Sequence, residues 1–141
     1  NDTLNYATFK GKWLLIDFWS YGCKPCIKEF PALNEIASKM DSSKLQIIGV
    51  FVGKDSAKWK KAIKRYKIDF PTYYPGWTQS NSFLALNFRM AKSSKRVSQM
   101  ITQTPQYVLI DPRGRIVDKN FPKPSSSDFT KALEDYIGRL K

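Results

Sequence analysis

The chain has 141 residues, 42% hydrophobic and 14% aromatic, the usual size of one domain and enough apolar material for one packed core. Two cysteines exclude a disulfide-dense scaffold, and eight prolines with seven glycines exclude collagen-like or proline-glycine-rich disordered chains. Lys and Arg number 24 against 12 Asp and Glu, a net charge of +12, and histidine is absent, which removes the commonest transition-metal ligand, the usual general base and any Ser/His or Cys/His nucleophile.

The chain opens Asn1-Asp2-Thr3, with neither methionine nor the apolar segment of a signal peptide, and so reads as processed or as the C-terminal part of a longer precursor. No apolar run approaches the ~20 residues that span a bilayer. WLLIDFW, residues 13–19, is apolar at nearly every position, the pattern of a central strand covered on both faces. CKPCIKEFPALNEIASKM follows, with Ile27, Phe30, Leu33, Ile36, Ala37 and Met40 on one face of an amphipathic helix, and with Pro31 inside it as an expected kink. LQIIGVFV, residues 45–52, is a second buried strand, and the pair joined by a helix makes a βαβ unit with an expected right-handed crossover.

A second helix is predicted from an N-cap at Asp55-Ser56 to about Lys67, with Ala57, Ile63 and Tyr66 facing inward. Residues 70–76 suggest a short strand and a turn, and residues 82–97 suggest a helix. Residues 107–110, the turn Asp111-Pro112-Arg113-Gly114 and residues 115–118 form a predicted β-hairpin. Ser125-Ser126-Ser127-Asp128 offers caps for a last helix with Phe129, Leu133, Tyr136, Ile137 and Leu140 on its inner side.

The positive charge concentrates in KDSAKWKKAIKRYK, residues 54–67, where seven basic residues face Asp55 alone, and again at Lys92, Lys95 and Arg96. Such a field suits nucleic acid, an anionic membrane or an acidic protein partner, and it equally describes a solvated helix face.

Zinc needs about four ligands, or three with a water, and one C-x-x-C supplies two. A metal site within one chain is therefore not expected, although a centre shared between two chains stays open. As a staple the pair is poor, since closing a four-residue loop contributes about 2 kcal/mol against ~4.7 for a hundred residues. At a strand-to-helix junction, however, residues three apart share one face, so the sulfurs of Cys23 and Cys26 can join and part without backbone rearrangement. Cys23 falls at the helix N-terminus, where unpaired N–H groups and Lys24 favour a thiolate, while Cys26 falls inside the fold, where desolvation disfavours one. Asp17 is the one charged residue of its strand and is expected to have a raised pKa. Two roles stay open for it: a proton acceptor for Cys26 through a water, or a core-edge aspartate bonded to backbone or lysine.

FKGKWLLIDFWSYGCKPCIKEFP, residues 9–31, resembles the active-site segment of the thioredoxin superfamily, and TPQYVLIDPRGRIV, residues 104–117, resembles its second signature. FKGK, the central insertion and LIDPRGRIV are most similar to the TlpA/ResA-like branch of extracytoplasmic thiol-disulfide oxidoreductases. The resemblance covers nearly all of the chain except residues 75–103. It implies an α/β thioredoxin-like three-layer fold, a central mixed sheet flanked by helices, with an insertion in mid-chain and one domain over residues 1–141. It also implies roles: Cys23 the nucleophile, Cys26 the resolving cysteine, Asp17 the buried acid, Trp19 the neighbouring aromatic, Lys24 and Pro25 the tuning pair, and Thr104-Pro105 a cis-proline edge that receives substrate.

No cofactor beyond the Cys23–Cys26 redox couple and no metal is implied. The implied partners are protein thiols and disulfides and a membrane-embedded electron donor; nucleic acid is not among them, and the protein is expected to be a monomer outside the cytoplasm. The chain departs from common thioredoxins at Gly22, where tryptophan is usual, and at Lys24, where glycine is. Competing readings are a thiol peroxidase, whose P-x-x-x-S/T-x-x-C pattern finds Ser20 but no proline, and a basic module binding through residues 54–67.

Overall fold

Strand β1 (Trp13–Trp19) is buried at six consecutive positions because it is covered on both faces. The computed structural model describes residues 6–76, 89–92, 98–101 and 104–138. Strands β2 (Leu45–Phe51), β3 (Thr72–Tyr73), β6 (Gln106–Ile110) and β7 (Ile116–Asp118) join β1 in a five-stranded sheet of order β3-β2-β1-β6-β7, and β4 (Arg89–Lys92) pairs separately with β5 (Ser98–Ile101). β1 runs parallel to β2, with Trp19 opposite Phe51, and antiparallel to β6, with Asp17 opposite Tyr107. The sheet is mixed, and the fold is the expected thioredoxin-like α/β fold.

Alternate residues of each strand point to opposite faces. Leu15, Trp19, Ile47, Phe51, Tyr107 and Leu109 join one core with helix α1 (Lys24–Lys39), helix α2 (Ser56–Arg65) and helix α3 (Asp128–Ile137), which contribute Phe30, Ala62 and Leu133 among others. Leu14, Ile16, Phe18, Ile48, Val50, Val108 and Ile110 build a second core with Phe9, which closes the 3-10 turn Tyr6–Phe9. Each such side chain contributes roughly 1.5–3 kcal/mol on leaving water.

Local chemistry explains most boundaries. Asp55 caps α2 by accepting from Ala57 N at 2.9 Å and Lys58 N at 3.2 Å. The hairpin turn closes on Asp111, whose carboxylate accepts from Arg113 N, Arg115 N and Arg115 Nε at 3.0, 2.8 and 2.7 Å.

Three expectations are corrected. Ala57 is exposed, and Ala62 is the buried residue of α2, because Ala57 lies in the first turn, before the helix meets the core. The helix expected over residues 82–97 is not formed at Arg89–Lys92, which is strand: pairing with Ser98–Ile101 overrides a run of good helix formers; residues 82–88 and 93–97 lie outside the described set. The serine run does cap α3 as expected: Ser127 occupies the N-cap without a side-chain bond of its own, and Ser126 Oγ accepts from Asp128 N at 3.1 Å. Tyr136 is 42% exposed, touching Trp13 and Phe121 at ring distances of 6.3 and 6.4 Å, because it lies at the rim of the core. Leu140 lies outside the described residues. Among the described residues, no helix is long and apolar enough to cross a membrane.

Candidate active site

The chain leaves β1 at Trp19 and turns through Ser20, Tyr21 and Gly22, with Cys23 N donating to Ser20 O at 3.3 Å. Gly22 has φ of +76°, in the left-handed region where a Cβ is strained. That turn explains glycine in place of the usual tryptophan.

Cys23 is the N-cap of α1, in extended conformation, and Pro25 in the first turn has no N–H to leave unpaired. The Cys26 amide therefore meets the Cys23 sulfur, donating to Sγ at 3.2 Å. The two cysteines form a disulfide, with an S–S distance of 2.02 Å and Cα atoms 5.3 Å apart. Cys23 is part-exposed and Cys26 has no exposed surface, packed in the core that holds Trp19, Phe30 and Leu33. One sulfur thus faces partners at a helix N-terminus that favours its anion, while the other lies where an anion is costly. Lys24 and Pro25 are exposed beside them.

Trp19 is locked beneath this turn. Its ring stands edge-on to Phe30 and Phe51 at 5.4 and 4.9 Å, and its Nε1 donates to Thr72 Oγ1 at 3.2 Å, an oxygen that also accepts from Trp59 Nε1 at 3.3 Å.

Asp17 is fully buried on the same face of β1 as Leu15 and Trp19, the face that α1 covers with Cys26. Neither of its oxygens has a hydrogen-bond partner among the described residues, and the same holds for the Tyr107 hydroxyl on the facing strand. Of the two roles open to Asp17, the core-edge aspartate bonded to backbone or lysine is not the one observed. Burial, and secondarily the charge of Glu29, pushes the Asp17 carboxyl well above the ordinary carboxylate range. Burial, then Asp17 and Glu29, raises Tyr107 in the same direction.

Glu29 is buried too, accepting from Ser125 N and Ser125 Oγ at 2.8 Å each, so it ties α1 to the segment before α3. Sequence reasoning passed over Glu29, although positions 26, 29, 30 and 33 share one helical face and a carboxylate stands out there. The shared role of Thr72 and the buried position of Tyr107 had no such signal, because they depend on non-local pairing.

On the other flank, the Thr104–Pro105 peptide is cis, as the resemblance implied. Antiparallel pairing of β6 with β1 brings this segment to the carboxyl end of β1, and Thr104 Oγ1 shares a hydrogen bond with Ser20 Oγ at 2.7 Å. Cys23, Lys24, Pro25 and Cys26 thus follow the carboxyl end of β1, the strand that holds Asp17 and Trp19, and Thr104–Pro105 precede β6, which pairs with that end. Among the described residues, no group of three or more His, Cys, Asp or Glu is disposed to hold a metal ion.

A model of the AhpC/TSA family matches residues 1–119. The thiol-disulfide oxidoreductase ResA of Bacillus cereus is 28% identical over 132 residues, covering 93% of this chain and 65% of that protein. ResA of Bacillus subtilis is 25% identical over 139 residues, covering 98% of this chain and 66% of that protein. The chain thus spans just under two thirds of the length of these relatives. Among solved structures, the thioredoxin domain of a thiol-disulfide oxidoreductase from Bacteroides vulgatus is similar with a TM-score of 0.68 and 28% identity, over 94% of this chain and 84% of that one. A thiol:disulfide interchange protein from a Bacteroides species is similar with a TM-score of 0.70 and 27% identity, over 99% of this chain and 82% of that one.

Proposed function

This chain belongs to the AhpC/TSA family of thioredoxin-like proteins, and we propose that it is a thiol-disulfide oxidoreductase that reduces protein disulfides through Cys23 and Cys26. The observation that carries this reading is the disulfide between an N-cap cysteine that is part-exposed and a first-turn cysteine that is wholly buried. In the reduced protein, the Cys23 thiolate attacks a substrate disulfide; a Cys23–substrate disulfide forms and one substrate thiolate leaves. Cys26 then loses its proton towards Asp17 and attacks Cys23 Sγ, so the Cys23–Cys26 bond forms and the second substrate thiolate leaves. Two electrons pass to the substrate, and an external dithiol restores the pair. The raised pKa of Asp17 suits this exchange, because its proton affinity lies nearer to that of a thiol than an ordinary carboxylate's does.

The Thr104–Pro105 segment is the edge on which the substrate backbone pairs, as an added strand. The external dithiol is assigned to a membrane-embedded reductase, the compartment is extracytoplasmic, and the working unit is a monomer whose residues 1–141 are one domain. The peroxidase reading is disfavoured by the sequence, since Ile16 stands where the P-x-x-x-S/T-x-x-C pattern that would include Ser20 and Cys23 requires a proline.

The test is insulin reduction by the dithiothreitol-recycled protein. Cys23→Ser abolishes turnover and Cys26→Ser accumulates mixed disulfides; turnover that persisted in Cys23→Ser would remove the nucleophile assignment. The reduction potential of the pair, measured against glutathione, fixes the direction of electron flow.

A further inference from the structure

β1 and β2 are parallel, so the loops that follow them leave the same edge of the sheet, where ligands of open α/β sheets bind. The loops are joined there by Val52 N donating to Trp19 O at 2.8 Å. Between them lies a groove of about 300 Å³, walled by Ser20 and Tyr21 on one side and by Gly53, Lys54, Asp55 and Lys58 on the other. The Ser20–Tyr21 wall belongs to the turn whose Ser20 carbonyl accepts from Cys23 N. In the order β3-β2-β1-β6-β7, the Thr104–Pro105 segment flanks this turn on the β6 side and the groove flanks it on the β2 side.

The groove carries a net positive charge, with Lys54 and Lys58 against Asp55. Lys58 Nζ lies 5.2 Å from the Tyr21 ring centroid, and Tyr21 is 39% exposed. Asp55, the acid of the groove, has one carboxylate oxygen turned to the Ala57 and Lys58 amides as the helix cap. Behind Lys58, α2 carries Lys60, Lys61, Lys64 and Arg65 and no acidic residue.

We propose that this groove is a specificity subsite for acidic residues flanking the substrate cysteine, with Lys58 the receiving cation and Tyr21 the apolar wall. The inference rests on the thiol-disulfide exchange proposed above and adds the substrate class. At ~3.3 Å per extended residue, side chains two to four positions from the substrate cysteine lie about 7 to 13 Å along the chain from it, and these are the positions assigned to the groove. The concave site beside the reactive sulfur favours a peptide side chain; a nucleic-acid duplex or a membrane would instead lie on the outer face of α2.

The experiment uses the reduced full chain and three nonapeptides, each with one central cysteine held as a neutral thiopyridyl disulfide. Two Asp, two Ser or two Lys stand two residues from the cysteine on either side. Thiopyridone release reports the attack of Cys23. The Asp peptide is expected to react about three- to tenfold faster than the Ser peptide at low salt, the range of one or two exposed ion pairs. The Lys peptide reacts slowest, the spread shrinks in ~0.5 M salt, and Lys58→Glu abolishes or reverses the ranking while leaving the Ser peptide unchanged. Equal rates for the three peptides, or a ranking that survives Lys58→Glu, overturn the subsite while leaving the exchange activity standing. The subsite is likewise overturned if Lys58→Glu only weakens binding to DNA or to phosphatidylserine vesicles. If no peptide reacts although both thiols are free, the exchange reading fails and the subsite with it.

Discussion

The hydroxyl oxygens of Ser20 and Thr104 lie 2.7 Å apart, joining the turn that carries Cys23 to the segment that precedes β6. Under the proposed exchange a substrate strand pairs beside the Thr104–Pro105 segment, so the spacing of the two loops is expected to set how well it fits. Ser20→Ala and Thr104→Val are each expected to raise KM for a protein disulfide by about three- to tenfold, the loss of one hydrogen bond's net worth. The rate with a small aromatic disulfide stays unchanged. Equal losses with both substrates would assign the bond to general stability.

Asp17 carries a signed pH dependence. Its pKa is higher folded than its ordinary value of 3.8, so the folded state holds the proton more tightly than the unfolded one. Stability therefore falls as pH rises from about 4 through the folded pKa. Asp17→Asn removes this loss: the variant is more stable than the parent at neutral pH, and the gap closes as pH is lowered below about 4. Urea unfolding at several pH values measures it, and a gap independent of pH would mean that Asp17 does not titrate in this way. The same variant slows release of the mixed disulfide.

Glu29 acts on both the frame and the acid. Glu29→Gln weakens two charge-assisted bonds to Ser125 and is expected to cost about 1–3 kcal/mol. Because the Glu29 charge helps to raise Asp17, the midpoint of the Asp17-dependent step moves to lower pH. A pH–rate profile of the resolving step separates this from simple destabilisation, which leaves the midpoint in place.

Gly49 tests the packing under the disulfide. A Cβ there would meet Trp19 Nε1 at 2.9 Å, Phe70 Cε2 at 3.0 Å and Thr72 Oγ1 at 3.2 Å. Gly49→Ala is expected to cost about 1–3 kcal/mol in thermal unfolding and to change the fluorescence of Trp19 as its bond to Thr72 shifts.

The elements read most directly were those whose evidence is local. WLLIDFW and LQIIGVFV announced buried strands, CKPCIKEFP announced a helix start, and Asp111-Pro112-Arg113-Gly114 announced a turn, because periodicity, caps and turn residues act within a few positions. Arg89–Lys92 misled for the same reason: its helix propensity is local, and its pairing with Ser98–Ile101 is not. Within the site, the unequal cysteines and the raised Asp17 followed from helix-end electrostatics and desolvation, while Glu29 was legible only as an odd charge on an apolar face.

By itself, then, the sequence singled out the residues to which sulfur and proton chemistry is assigned, since two cysteines, no histidine and one charged residue in a buried strand leave few candidates. Tertiary structure alone decided what surrounds them. Thr72 receives two indoles, Tyr107 stands opposite Asp17, Ser125 holds Glu29, Thr104 meets Ser20 and Lys58 lies over Tyr21, contacts spanning 13 to 96 residues along the chain. Each depends on strand order and register, which arise from burying both faces of one central strand at once.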